Sequence, residues 1–320
     1  MNTARRYTVW FVGGLLLSLV AAELVLRMMG HLPSVIDDRD LWAFHRQRID
    51  EADRSALVLL GGSRIQLGVS LDTLCADGGR ERVTQLAIDG TSPMATLRDL
   101  AENSRFSGLV VCSLFEPAFE PANWNAQQPW IDHFHRDFAV TSRLKRVFSG
   151  TLQRYLVLVN SGKPKYLTTQ FDRSRSADYS QVDLTRHRQI RLDVGQRMFQ
   201  RERASPAAWL AQARLAESYV RSIQRRGGNV VFIRFPSSSP LYQLEERCYP
   251  RREYWDRYAR ISRATLVHFE DVPGWRRFTC PDLSHLDRSD QIAFTESLVN
   301  VLVTRGVWER ASLPARLARR

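Results

Sequence analysis

LVLLGGSRIQLGVS, residues 57–70, runs four aliphatic side chains into two glycines and then presents Ser63 and Arg64. An apolar run that does not alternate is the mark of a strand covered on both faces, as in a parallel sheet. With its flanks the run reads ALVLLG (56–61), and four more share its character: VTQLAID (83–89), GLVVCSLF (108–115), NVVFIRF (229–235) and LVHFEDV (266–272). Helical patterns fall among them. SPMATLRDLAENSR (92–105) opens on Ser-Pro, a cap and first-turn pair, and SPAAWLAQARLAESYVRSIQRRGG (205–228) closes on glycines suited to a C-cap. DRSDQIAFTESLVNVLVTRG (287–306) repeats the design. Strands alternating with helices predict an α/β fold, a doubly wound and mostly parallel five-stranded sheet sandwiched by helices.

One interval departs from this rhythm. Residues 116–203 carry no clear strand pattern and are too long for a simple connection, so they read as an inserted lid or subdomain. Ahead of the sheet, Arg5 and Arg6 precede YTVWFVGGLLLSLVAAELVL (7–26), long enough to cross a bilayer and charged only at Glu23. Arginines before the span predict an N-terminus in the cytoplasm and an exported remainder. Val20-Ala21-Ala22 also satisfies a signal-peptidase rule, but the apolar run is long for a signal peptide, which favours an uncleaved anchor. The expected organisation is a cytoplasmic tip (1–6), a transmembrane signal anchor (7–27) and a polar stalk (28–53). A single domain (54–310) with the insertion follows, then a basic tail (311–320).

The chain of 320 residues carries a formal net charge of +12, which suits phospholipid headgroups or acidic polysaccharide. No zinc-finger spacing or RNA-binding aromatic signature occurs, so a nucleic-acid partner is not expected. Of the four cysteines, Cys112 sits in an apolar strand, and Cys248 and Cys280 lie in polar sequence where an oxidising compartment could pair them. No CxxC spacing exists, and no metal or cofactor is called for.

Doubly wound sheets bind ligands beyond the carboxyl ends of their strands. Ser63, just past the first strand, is delivered to that edge, and the glycines before it permit a tight turn. A hydroxyl becomes a nucleophile when an imidazole takes its proton and a carboxylate fixes the imidazole tautomer. TCPDLSHLDRSDQIAF (279–294) supplies both, with Asp282 three residues before His285 and a helix just beyond. Asp282, Ser284 or Asp287 could equally cap that helix.

These blocks together resemble the SGNH (GDSL-type) hydrolase superfamily, in particular its exported, membrane-anchored bacterial branch. The resemblance covers about residues 55–115 and 229–305. It implies a flavodoxin-like fold, Ser63 as nucleophile, and an oxyanion hole from the amides of Ser63 and of Gly90 in AIDGTSP. Asp282 and His285 complete the implied triad. It further implies an esterase or O-acyltransferase acting on acyl esters, acetyl above all, of cell-envelope polysaccharide, with a membrane acyltransferase as a candidate partner. A binding or assembly protein without catalysis and a lipid esterase are the alternatives. The family's third block brings an asparagine after strand three, and here LFEPAFEPANW (114–124) places Glu116 there. A carboxylate donates no hydrogen bond unless protonated, so either Asn123, Asn125 or Arg64 stands in for the asparagine, or the site is slow, specialised or inactive.

Other signals carry less. WIDHFHRDF (130–138) offers His133 and His135, which read as a loop rather than a metal site. Trp124, Trp130, Tyr249 and Trp255 are candidates to stack on sugar rings or to fill core. The segment after strand four, FPSSSPLYQLEERCYPRREYWDRY (235–258), lies at the productive edge and is expected to shape a pocket.

Overall fold

The computed structural model describes residues 3–51, 54–75, 82–160, 162–200 and 203–308. Seven strands occur among them: β1 (Leu57–Leu60), β2 (Val83–Gln85), β3 (Leu109–Ser113), β4 (Leu167–Thr169), β5 (Arg175–Ala177), β6 (Asn229–Arg234) and β7 (Thr265–His268). Five form one parallel sheet in the order β2-β1-β3-β6-β7, the flavodoxin-like order, and β4 and β5 form a separate antiparallel pair. The chain steps outward from β1 to β2 and returns across β1 to β3, so the switch point lies between β1 and β3.

Both faces of this sheet are buried, which is why its strands read as continuous apolar runs. Val58, Leu60, Val110, Cys112, Val230 and Phe232 face one core; Leu57, Leu59, Leu109, Val111, Val231 and Ile233 face the other. The helices, in chain order, are α1 (Thr3–Met28), α2 (Arg39–Arg48), α3 (Ser63–Gly68), α4 (Leu71–Leu74), α5 (Met94–Glu102), α6 (Pro121–Trp124) and α7 (Gln128–Arg136). They continue with α8 (Val140–Tyr155), α9 (Leu184–Phe199), α10 (Pro206–Arg225), α11 (Leu241–Cys248), α12 (Trp255–Ala259) and α13 (Arg288–Thr304). α2, α5 and α10 cover the first face, and α3, α4 and α13 the second. On α10 the helical spacing turns Trp209, Val220 and Ile223 inward, and aliphatic burial of this kind stabilises by about 1.5–3 kcal/mol per side chain.

Three expectations change. The stretch expected as a stalk, as far as residue 51, is not free: α2 buries Leu41, Trp42, Ala43, His45 and Arg46 in the domain, and Arg46 pairs with Asp99 at 2.7 Å, while 52 and 53 lie outside the described residues. The polar composition misleads because the buried cation is neutralised by a carboxylate that only the fold brings near. The stretch read as a loop around His133 and His135 is helix α7; His133 Nε2 meets Asp40 at 2.8 Å and His135 Nε2 meets Asp99 at 2.6 Å. The two rings thus face different carboxylates, and no three potential metal ligands cluster among the described residues. Cys248 and Cys280 are separate thiols, Cys280 being buried against the Pro236 carbonyl.

Strand β2 is shorter than its apolar run. Past Gln85 the chain still tracks β1 through single bonds, Leu86 N to Leu59 O and Ile88 N to Gly61 O, both 2.9 Å. Its outer edge is closed by Arg173 from the β4–β5 hairpin. This buried guanidinium donates to the carbonyls of Gln85 and Ala87 and to Asp37, which also serves the need to cover an exposed strand edge. The three-residue strands of that hairpin are too short to leave a periodic signal in the sequence.

Among the described residues one helix is long and apolar enough to span a membrane, Arg6–Met28, and its apolar window has no side chain buried in the domain.

Candidate active site

The site sits at the carboxyl edge of the sheet beside the switch point. Gly61 leaves β1 with φ +143°, and a Cβ there would lie 2.7 Å from the Cβ of Ser113, so the turn admits glycine alone. Gly62 then caps α3, and Ser63 becomes its first residue. The first amides of a helix find no partner within it, so the N–H of Ser63 remains available to a ligand atom. Gly90 follows β2 in the left-handed region, φ +69°, and borders the same hollow.

His285 arrives from the other end of the chain. Its Nε2 lies 2.7 Å from Ser63 Oγ, and its Nδ1 lies 2.8 Å from Asp282 Oδ2. Asp282 Oδ1 accepts the backbone N–H groups of Ser284 and His285, which locks the carboxylate onto its own turn. Leu283 between them is held at φ +76°, a conformation that costs a non-glycine residue about 1–3 kcal/mol. The burial of Leu283 and the hydrogen bond from Ser238 N to its carbonyl hold it there.

The electrostatics assign the protons. Burial alone would raise the pKa of Asp282, but the His285 hydrogen bond, the charge of Arg191 and the backbone amides outweigh it and hold the carboxyl far below its usual range. An ionised carboxylate only accepts, so Nδ1 carries the hydrogen and Nε2 is free to accept from Ser63. Burial lowers the pKa of His285 below 6.5, and Arg191 and Arg64 push the same way against the pull of Asp282. The imidazole is therefore neutral at pH 7.

Arg191 has no precursor in the sequence reading. It comes from α9, inside the insertion, and its Nε donates to Asp282 Oδ2 at 3.0 Å. Its Nη2 lies 3.3 Å from the His285 Nδ1, a contact between two donors and hence a charge beside the ring rather than a hydrogen bond. The one local hint is Gly195 on the same helix face region, where a Cβ would meet Leu241 at 2.9 Å.

The four residues considered for the third donor separate. Glu116 is buried and paired with Arg234 at 3.1 Å, so it is a structural anion and offers nothing to an oxyanion. Asn125 is exposed and does not border the pocket. Asn123 borders it, with its amide donating to Pro117 O at 3.1 Å. Arg64 also borders it: Nη2 donates to Glu245, Nε reaches Ser284 Oγ at 3.3 Å, the guanidinium lies over Phe115, and Nη1 is buried without a partner. The buried chain Arg64–Glu245–Arg234–Glu116 thus ties the serine turn to α11 and β6.

The pocket holds about 270 Å³. Phe115, Val194, Met198 and Leu241 make apolar wall in the pocket that Ser63 also lines, so the insertion helix α9 and the segment after β6 both shape it. Trp124, Tyr249 and Trp255 are buried in the core and are not sugar platforms. Sequence alone could not separate those two uses of an aromatic ring.

A parallel α/β sheet with a hydrogen-bonded Ser-His-Asp set at its carboxyl edge is the class that fold and site define. No protein-family model matches the chain, and no curated protein matches it. Among solved structures it is similar to TesA, at 17% identity and a TM-score of 0.37, covering 77% of this chain and 97% of that one. It is also similar to a candidate acylhydrolase from Bacteroides fragilis, at 12% identity and a TM-score of 0.36, covering 85% and 100% respectively.

Proposed function

We propose that this protein is a serine hydrolase of the SGNH type, held at a membrane by α1, that transfers acyl groups from esters by way of Ser63. The observation that carries the reading is the unbroken relay Ser63 Oγ–His285–Asp282, at 2.7 and 2.8 Å, opening on an apolar pocket. Ser63 Oγ attacks the ester carbonyl carbon while its proton passes to Nε2 of His285. Asp282 stabilises the imidazolium, and the Ser63 and Gly90 amides receive the oxyanion. Arg64, which lines the pocket next to Ser63 in the chain, takes the part of the missing asparagine. The tetrahedral species collapses, the alcohol leaves with the proton from His285, and acyl-Ser63 remains. Water or a saccharide hydroxyl then gives its proton to His285 and attacks the acyl carbonyl, and His285 returns that proton to Ser63 Oγ as the acyl–oxygen bond to the serine breaks.

The anchor and its arginines favour an extracytoplasmic domain, where acyl esters of envelope polysaccharide are the substrates the SGNH resemblance implies. A second reading, deacylation of a lipid, draws on the apolar wall of Val194, Met198 and Leu241, which suits a chain longer than acetyl. A series of p-nitrophenyl esters of increasing length separates the two.

A fluorophosphonate probe tests the proposal directly. Wild-type protein is expected to label at Ser63, and His285→Ala to stay silent. Arg64→Met should label about 10²–10³ times more slowly, the usual cost of one oxyanion donor, with Asn125→Ala unchanged. A folded wild type inert to the probe overturns the proposal and leaves a binding protein.

The pH dependence follows from His285. A general base must be neutral, so kcat/KM is expected to be full at pH 7 and to fall as pH drops through a value below 6.5. Arg191→Met removes a cation beside the ring, so the ring gains a proton more readily and the acid limb moves to higher pH. A limb that does not move, read from kcat/KM profiles of the two proteins, contradicts this role for Arg191.

A further inference from the structure

Helix α8 is built inside out. Its domain-facing side carries Arg146, Gly150 and Gln153, all buried, whereas Val140, Leu144 and Phe148 are 64, 68 and 70% exposed. The two terminal nitrogens of the buried Arg146 guanidinium donate to Asp38, the Ile36 carbonyl and Gln153, and Gln153 accepts from Ile36 N. At 100° per residue the exposed Val140, Leu144, Val147, Phe148, Leu152 and Tyr155 fall within one arc, with Lys145 on one flank and Arg154 on the other. An apolar stripe with cations on both borders has the pattern of a helix lying in a lipid interface, with its basic stems reaching back to the headgroups.

What covers this stripe is indicated by its neighbour. The carboxyl end of α1 is fastened to the carboxyl end of α8. Glu23 accepts the amides of Val157 and Leu158 at 2.9 and 2.8 Å, and Arg27 donates to the Tyr155 carbonyl at 2.6 Å and to Glu23 at 2.7 Å. Lys165 adds a bond to the Met29 carbonyl. The exposed stripe therefore begins where the apolar span ends, and exposed Met29, Leu32, Ile36 and Val159 extend the patch around the junction.

We infer that α8 docks on the bilayer surface, its Val140–Leu144–Phe148 stripe in the headgroup–acyl boundary of anionic phospholipid, so that the domain is held in one orientation rather than swinging on α1. The inference rests on reading α1 as a membrane span.

The test uses the full chain, in a Cys248→Ser background, reconstituted in phosphatidylcholine–phosphatidylglycerol vesicles whose lipids carry doxyl groups high on the acyl chain. An environment-sensitive dye is placed in turn at Phe148→Cys, at Leu16→Cys within α1, and at the exposed Ile292→Cys on α13. Most of the fluorescence at 148 and at 16 is expected to be lost to the lipid quencher, with 292 unaffected. Quenching at 16 with 148 as bright as 292 overturns the docking while the span stands. No quenching at 16 removes the span itself, and the inference falls with it. A dye at 148 that is shielded from aqueous iodide yet untouched by the lipid quencher shows a protein on the stripe, which also overturns it.

Discussion

If the proposed function holds, Ser63→Ala is expected to lower kcat/KM for p-nitrophenyl acetate by about 10⁴-fold or more, an increase of about 5 kcal/mol or more in the barrier. The size follows from what is lost and what remains. Without Oγ there is no covalent step, and His285 has no proton to take. The pocket and the two amides survive, so binding of ester is retained while turnover is not. Asp282→Asn reaches a similar loss by another route, because an amide at that position reverses the tautomer preference of His285 and blocks Nε2 as an acceptor. Steady-state rates of the two variants against wild type check both. A Ser63→Ala protein within tenfold of wild type would assign the hydrolysis to other residues.

Arg234→Met is the second large effect, and it falls on stability. Arg234 lies buried between Glu116 and Glu245, donating to both, and Glu245 also receives Ser237 Oγ and Arg64. Removing the guanidinium leaves Glu116 without its paired cation, and Glu245 with Arg64 and Ser237 alone, in a buried region. Breaking a buried pair in this way costs about 3–5 kcal/mol, a fall in Tm of roughly 6–20 °C for a domain of this size. The same network sets an acid limit. Burial alone would raise the pKa of Glu245, but the charges of Arg64 and Arg234 push it down to about 2, from an ordinary 4.5. A depressed carboxyl contributes stability that is present above 4.5 and is lost as pH falls through about 2. Thermal melts of wild type in detergent should therefore lose stability across that window, and Arg234→Met should lose less, because Arg64 is then the one cation left to hold Glu245 down. Equal melting temperatures for the two proteins at pH 7 would contradict the account.

The parallel sheet was legible because a strand buried on both faces is apolar at most of its positions, as residues 57–60 and 109–112 are. The Asp-x-x-His turn was legible because its chemistry is local, with both residues on one short segment. Arg191 and the Arg64–Glu245–Arg234–Glu116 chain were not. Their partners stand tens to hundreds of positions away, and an arginine destined for a carboxylate in the interior has the same composition as one destined for solvent. The same ambiguity made α2 read as a stalk and hid the inverted faces of α8, whose apolar residues look like ordinary core until burial is known.

Sequence by itself determined the five strands of the parallel sheet, the apolar N-terminal helix and the residue types offered at the carboxyl edge, since each depends on neighbours within a few positions and on the period of the backbone. The tertiary structure alone decided that Ser63 and His285 meet across 222 positions, that Glu116 is neutralised rather than catalytic, and that α9 brings a cation to the triad. Distance, charge pairing and exposure to water belong to the packed chain, because burial of a charge or a hydroxyl has meaning only once the groups that satisfy it are in place.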